Sequence, residues 1–324
     1  MITLIPSENI IEIPLYENII NFFTEEDSLF SNYRYFYSHN LKFPLIRDQW
    51  LSQFDSHSVK EQMLSLVLTN LIYISDRELQ NQIYTYSKAL DLFVSKENSI
   101  DKKSVIIVGL SDGARLDLVR SFSDQVMNYQ ILPDFRINRE KAQTILKKMQ
   151  ATGGQSEVLK IILVDDFLGS GLSLLRKEQG VWKGKLIRVI NELIPLFKDK
   201  FALCEICLSY YYASENGLNY LKRMIEMLLS DKRIHISMNI YGASIVPQAR
   251  ISDNQRIILE KQYRKMPITD VHYSLGGMEK PYLGFAASQL LLVFEHNTPN
   301  NSLPIIWQGP NALFPRKQRH TMFE

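Results

Sequence analysis

Three apolar runs constrain this chain more than anything else in it: "SVIIVGL" (residues 104–110), "LKIILVDD" (159–166) and "FALCEICLSYYY" (201–212). None shows the strict alternation of a strand with one wet face. Runs that are apolar on both sides belong to strands buried on both faces, as in parallel sheets covered by helices. Helix-length segments lie between them: residues 114–127, "INREKAQTILKKMQ", residues 185–197 and "GLNYLKRMIEMLL". "NYQILP" and "RIHISMNIYGA" read as two further strands. The alternation predicts an α/β core over residues 103–249, a parallel sheet with helices on both faces. Ligands in such sheets bind beyond the carboxyl ends of the strands, so topology alone puts Asp165 and Asp166 at the functional edge.

The flanks read differently. Residues 1–102 are mostly helical in pattern, with Ser58/Glu61 and Ser75/Glu78 each spaced as a capping box. The aromatic-rich "YRYFYSHNLKFPLIRDQW" reads as packing against a neighbouring domain, with stacking on nucleic acid as the alternative. Residues 250–324 lose the alternation and read as an irregular hood beside the sheet. The expected partition is therefore 1–102, 103–249 and 250–324.

Composition bounds the rest. At 45% hydrophobic, 22% charged and a net charge of +2, the chain argues for neither a nucleic-acid-coated surface nor an acidic tail. Cys204 and Cys207, three apart on a strand, point to opposite faces and form no metal or disulfide framework, so they read as core residues in a reducing compartment. The opening residues lack the order of a signal peptide, and no apolar run reaches membrane-spanning length. Those features predict a cytoplasmic protein with no membrane contact.

The acidic strand end has several readings. A Walker B strand needs a G-x-x-x-x-G-K-[ST] companion, and the nearest stretch, "GVWKGKL", has the wrong spacing and a leucine in the hydroxyl position. Plain capping of the strand and the next helix would account for one aspartate. Two aspartates followed by Gly169, Ser170, Gly171, Leu172 and Ser173 suit a phosphate cradle, with carboxylates for ribose hydroxyls or a magnesium ion.

Ribose and phosphate together give the sequence its family likeness. Residues 161–173 resemble the signature of the type I phosphoribosyltransferases: four apolar residues, two acids, two apolar residues, then a small hydroxyl-and-glycine loop. Phe167 is bulkier than the pattern, and Gly169 replaces the usual Ser, Thr or Ala. The resemblance implies that Asp165 and Asp166 engage the ribose and, through it, Mg2+, and that residues 169–173 hold the 5′-phosphate. It implies a second loop for pyrophosphate after the first core strand, where Ser111, Asp112, Gly113, Ala114 and Arg115 stand. A small-residue turn opening a helix offers N–H groups to an anion, although Asp112 would repel one unless it faces away. The basic residues Arg136, Arg139, Lys141, Lys147 and Lys148 precede "ATGGQS", where the family carries a mobile loop; singly they read as a solvated helix face.

Two other function classes stay open on the residues. Gly109 to Gly113 also fits G-x-S-x-G, the nucleophile elbow of α/β-hydrolases, with Ser111 as nucleophile and Asp165 or Asp166 and His272 or His296 pressed into the triad. That reading leaves the acid pair and the Gly-Ser-Gly loop unexplained. The other class is a non-catalytic module that senses a nucleotide in the same pocket.

Outer texture narrows the resemblance. The helical front, "DQWLSQF", the "GKL" entry at Gly184 and "FEHNTPNNSLPIIW" are similar to phosphoribosyltransferase-like effectors of bacterial anti-phage systems, including retrons. That likeness implies a phosphoribosyl pyrophosphate or nucleotide ligand. It also implies a defence complex with a reverse transcriptase and its RNA–DNA product, and an oligomer of the chain. His296 and Asn297, with Thr298, Asn300 and Asn301, form a polar cluster that reads either as a structural turn or as hood residues meeting the ligand.

Overall fold

The computed structural model describes residues 43–96, 104–152, 157–232, 238–241, 243–268, 271–277 and 279–315. In chain order these form α1 (Phe43–Ser52), α2 (His57–Asn70), β1 (Ile72–Ile74), α3 (Asp76–Lys96), β2 (Val105–Gly109), α4 (Leu116–Phe122), β3 (Ile131–Leu132), α5 (Arg139–Ala151) and β4 (Val158–Leu168). The hairpin β5 (Arg176–Glu178) and β6 (Val181–Lys183) follows, then α6 (Lys185–Arg188), β7 (Leu203–Ser214), α7 (Glu215–Lys232), β8 (Met238–Tyr241) and β9 (Ser244–Val246). Last come α8 (Asp253–Lys265), α9 (Val271–Ser274), β10 (Leu292–Phe294) and α10 (Pro304–Trp307).

The chain divides into two compact units at boundaries other than those its texture suggests. Among the described residues, one unit takes in Leu79–Ile245, and the other joins residues up to Glu78 with residues from Val246 onward. The division falls there because β1 pairs in parallel with β10, Ile72 opposite Leu292 and Ile74 opposite Phe294. Described residues before Glu78 and after Val246, far apart in sequence, thus share one core.

The first unit is the expected parallel α/β sheet. Its strands run β3-β2-β4-β7-β8, each pair parallel, with β9 also on β7. One face buries Ile106 and Val108 of β2, Ile161 and Leu163 of β4, and Ile206 and Leu208 of β7, under Ala142 and Ile145 of α5, Leu186 of α6 and Leu221 of α7. Each of these Val, Leu and Ile side chains contributes roughly 1.5–3 kcal/mol by leaving water. The opposite face meets α3, where Tyr86 packs edge-on to Tyr211 at 5.4 Å and Gln82 donates to the Tyr211 carbonyl at 3.3 Å. Cys204 and Cys207 are both buried, and neither forms a disulfide. The strands are not wholly apolar, since Lys160 and Glu205, register partners on β4 and β7, form an ion pair at 3.3 Å.

Several local expectations shift. The α3 capping box holds: Ser75 Oγ accepts from the Glu78 N–H, and Glu78 accepts from the Ser75 N–H at 2.8 Å. The box at Ser58 does not form. Ser56 caps α2 instead, accepting from the Val59 N–H at 3.3 Å, because it is the residue still in extended conformation when the helix begins. The helix expected over 114–127 is cut short on both sides. Arg115 sits in the left-handed region (φ 42°) between a 3-10 turn and α4, and beyond Phe122 the loop N–H groups of Asp124 and Gln125 turn to the Asp91 carboxylate. The segment 185–197 is helical but uneven: α6 passes into a π turn (Val189–Leu193) and a 3-10 turn (Ile194–Leu196), and Pro195 in the latter lacks an N–H for the ladder.

The second unit is less irregular than "hood" implies. Its core gathers Trp50, Phe54, Met63, Val67, Leu259, Leu291, Leu303 and Phe314. The Trp50 indole donates to the Ile305 carbonyl at 2.8 Å, and α8 begins with a Ser252/Gln255 capping box. Trp307, half-buried, donates its ring N–H to the Ser302 carbonyl at 2.8 Å, so its polar edge is used internally. Residues 33–42 of the aromatic stretch and 153–156 of "ATGGQS" lie outside the described residues, as does the terminal "RKQRH".

Candidate functional site

In sheet order, β2 has β3 on one side and β4 on the other. The chain therefore leaves β2 in one direction and returns to β4 in the opposite one. A crevice opens where such a sheet switches direction. Register shows where it begins. β2 pairs with β4 only as far as Gly109 opposite Val164, and the Leu110 N–H still reaches the Val164 carbonyl at 2.9 Å. Beyond that the chain turns off into residues 111–115, while β4 continues alongside β7 to Leu168 opposite Ala213. Asp165 and Asp166 are the first residues of β4 with no β2 neighbour.

The acids therefore lie within the strand, not past its end. Adjacent residues in an extended strand point to opposite faces. Asp165 shares a face with its register partner Tyr210 and is buried. Ser111 donates its hydroxyl to Asp165 Oδ1, and the Lys185 ammonium lies 3.4 Å from Oδ2. Burial, then the neighbouring Asp166 charge, pushes the Asp165 carboxyl up to about 6, with Lys185 and Ser111 pulling the other way. Asp166, half-buried, lies against the second loop: a methyl group on Gly113 would sit 2.2 Å from its Oδ2. Glycine at 113 is what lets that carboxylate meet the turn so closely. Strand geometry thus gives the two acids different surroundings. Asp165 is committed to protein partners, and Asp166 flanks the loop.

The loop after β2 is held on three sides. Ser111 caps its 3-10 turn by accepting from the Gly113 N–H at 3.2 Å while donating to Asp165. Tyr211, from the face opposite Asp165, donates to the Ala114 carbonyl at 2.7 Å. Arg115 pairs with Asp117 at 3.7 Å, and Asp112 is exposed at the turn. The hydrolase reading finds little here. A nucleophile elbow places its serine on a strained turn, whereas Ser111 is extended (φ −154°, ψ 172°) and gives its proton to a carboxylate.

Residues 169–173 lie beyond the last β4–β7 pair. Ser214 anchors them, donating its hydroxyl to the Gly169 carbonyl and accepting from the Gly217 N–H at 2.9 Å. Gly171 has φ 78°, and its carbonyl accepts from the N–H groups of Leu174 and Leu175 at 3.0 Å. That is the start of a helical turn, and the hairpin β5–β6 interrupts it. After the hairpin the turn resumes: the Lys185 N–H bonds the Ser173 carbonyl at 3.1 Å, and the Leu186 N–H bonds the Leu174 carbonyl at 3.0 Å. Gln179 and Gly180, both at positive φ, form the two-residue turn of the hairpin, and Trp182 is buried in the sheet core. Gly184 closes the junction at φ 118°, where a Cβ would lie 2.3 Å from the Leu174 carbonyl oxygen.

The sequence pattern points to both loops and both acids but not to Lys185, Tyr211 and Ser214, the groups that hold them in place. Gly184 before Lys185 was the available signal. His296 and Asn297 belong to the other unit. There the His296 ring stacks at 5.4 Å on Phe294 and lies 3.8 Å from Asp76, and the Asn297 N–H closes a turn onto the Phe294 carbonyl at 3.0 Å.

A metal must be judged against these donors. Among the described residues, no group of three or more His, Cys, Asp or Glu side chains is placed to hold an ion. Mg2+ needs no such cage when one or two carboxylates and a substrate's phosphates supply its oxygens, and Asp166 beside the 111–115 turn fits that role.

The family model PRTase-CE matches residues 47–316. No curated protein matches the chain. Among solved structures, that of AQ2163 protein from Aquifex aeolicus is 8% identical, with 62% of this chain and 88% of that one covered and a TM-score of 0.29. That of C. elegans PCH-2 is 12% identical, with 62% and 52% covered and a TM-score of 0.18.

Proposed function

The chain belongs to the PRTase-CE family, and from that premise we propose that the crevice between β2 and β4 takes a phosphoribosyl donor or a nucleotide together with Mg2+. The observation that supports this most is the convergence of three features on one sheet edge. The 111–115 turn is tied to Asp165, the Asp166 carboxylate lies against Gly113, and the glycine-serine loop 169–173 is pinned by Ser214. The turn suits pyrophosphate, the loop suits the 5′-phosphate, and Asp166 suits the ribose hydroxyls between them.

In this reading the protein is an enzyme of glycosyl transfer. The bond from the anomeric carbon to pyrophosphate breaks, a bond to a nitrogen nucleophile forms, and pyrophosphate departs. Cleaving a nucleotide's glycosidic bond with water is the close variant. Positioning and charge stabilisation are the chain's contribution: fixed N–H groups toward the leaving group and a carboxylate on the sugar. Mg2+, when bound by Asp166 and the donor's own oxygens, supplies charge neutralisation.

The wider setting follows from the outer motifs: an effector of bacterial anti-phage defence, held with a reverse transcriptase and its RNA–DNA product, oligomeric and cytoplasmic. Among the described residues, no helix is long and apolar enough to cross a membrane. A second reading, a sensor that binds without turnover, is favoured by one observation: Asp165 is already committed to Ser111 and Lys185. A pyrophosphate-release assay across nucleobases, run beside calorimetric titration of donor and Mg2+, separates the two. Release identifies the transferase, and binding without release identifies the sensor. No binding of any phosphoribosyl compound or nucleotide overturns both.

A further inference from the structure

The Lys185 ammonium carries three donors, yet among the described residues it meets only Asp165, at a long 3.4 Å. Its side chain is 24% exposed, so the charge is partly withdrawn from water without being fully paired. Its backbone sits directly on the glycine-serine loop, through the bond from its N–H to the Ser173 carbonyl at 3.1 Å. On the face of β4 and β7 that carries Asp165, its register partner Tyr210 has a buried hydroxyl with no hydrogen-bond partner. An ammonium with three donors and one long contact has capacity left for another acceptor.

The split loop explains how the lysine arrives there. The hairpin β5–β6 separates residues 171–175 from the helix they begin, and Gly184, at a φ that other residues rarely adopt, returns the chain so that Lys185 follows Ser173 in space. Lys185 is eleven residues beyond Leu174 in sequence, yet its position continues the anion loop.

We propose that Lys185 is a donor-binding residue of this site, its ammonium turning from Asp165 to a phosphate oxygen of the bound sugar phosphate. This rests on the phosphoribosyl reading of the same crevice. A phosphate is the ligand class that fits: it accepts several donors at once, and a charge-assisted bond to it is stronger than the 3.4 Å contact it replaces. Asp165 then acts as a holder that keeps the ammonium oriented before the ligand arrives.

The test uses the full chain. Binding of ribose 5-phosphate, phosphoribosyl pyrophosphate with Mg2+, and inorganic pyrophosphate is measured by calorimetry for wild type, Lys185→Met, Lys185→Arg and Asp165→Asn, and for Asp165→Asn with Lys185→Met. Lys185→Met should weaken the phosphate ligands by roughly tenfold or more, and Lys185→Arg should restore most of it. A lysine that merely neutralised Asp165 would become dispensable once Asp165 is Asn, so the decisive comparison lies in that background. Continued loss on adding Lys185→Met supports the proposal; unchanged affinity overturns it. If inorganic pyrophosphate binds through Lys185 while neither sugar phosphate binds, the lysine's role stands and the phosphoribosyl reading falls. If wild type binds none of the three, both fall.

Discussion

Replacing Asp165 by Asn keeps the side chain's shape and an acceptor for Ser111 but removes the charge. In the folded chain, burial and the Asp166 carboxylate raise the Asp165 carboxyl from 3.8 to about 6. Between about pH 4 and pH 6 the folded state therefore holds more protons than the unfolded state. Stability falls as pH rises through that window, and the full cost is present above it. At roughly 1.4 kcal/mol for each pH unit, that cost is about 3 kcal/mol at pH 8. Asn stays neutral and escapes it, and the cost so reckoned is already net of the opposing pull of Lys185. Asp165→Asn should thus stabilise the protein by about 1–3 kcal/mol at pH 8. Urea unfolding followed by circular dichroism at pH 8 and pH 4 checks this. The advantage should close near pH 4, where the wild-type acid is itself protonated. A variant less stable at pH 8, or one with the same advantage at both pH values, would refute the reasoning.

Other perturbations separate the parts of the site. Gly113→Ala puts a methyl group where the Asp166 carboxylate now lies, so donor affinity by calorimetry should fall by roughly tenfold while the unfolding midpoint moves little. Ser214→Ala removes both the donor to Gly169 and the acceptor for Gly217, and should cost about 1–3 kcal/mol in urea unfolding. Ser56→Ala should lose about 1 kcal/mol as the true cap of α2, whereas Ser58→Ala, inside the helix, should change stability by less than about 0.5 kcal/mol; equal effects would return the cap to Ser58.

How much of this could be read in advance follows from where each piece of information lies. The apolar runs at 104–110, 159–166 and 201–212 specify strands buried on both faces, so the parallel sheet was legible. The orientation of the acids was not, although it obeys the same period-2 rule that separates Cys204 from Cys207. Applying that rule needed the knowledge that β4 runs on to Leu168, and the length of β7 opposite decides that, through Tyr212 and Ala213. Lys185 was hidden because the hairpin lies between it and the loop it joins. The second unit was hidden by distance along the chain, since nothing local in Ile72–Ile74 announces pairing with Leu292–Phe294. Ser75 and Glu78 were legible because a capping box is complete within four residues.

The central claim is that a sugar phosphate binds where β2 leaves β4, with Asp166 on the sugar. Calorimetric titration of phosphoribosyl pyrophosphate with Mg2+ into wild type and Asp166→Asn measures it most directly. Saturable one-site binding to wild type, lost in a variant of unchanged circular dichroism, is the predicted result. Equal affinity in the two proteins would contradict the account.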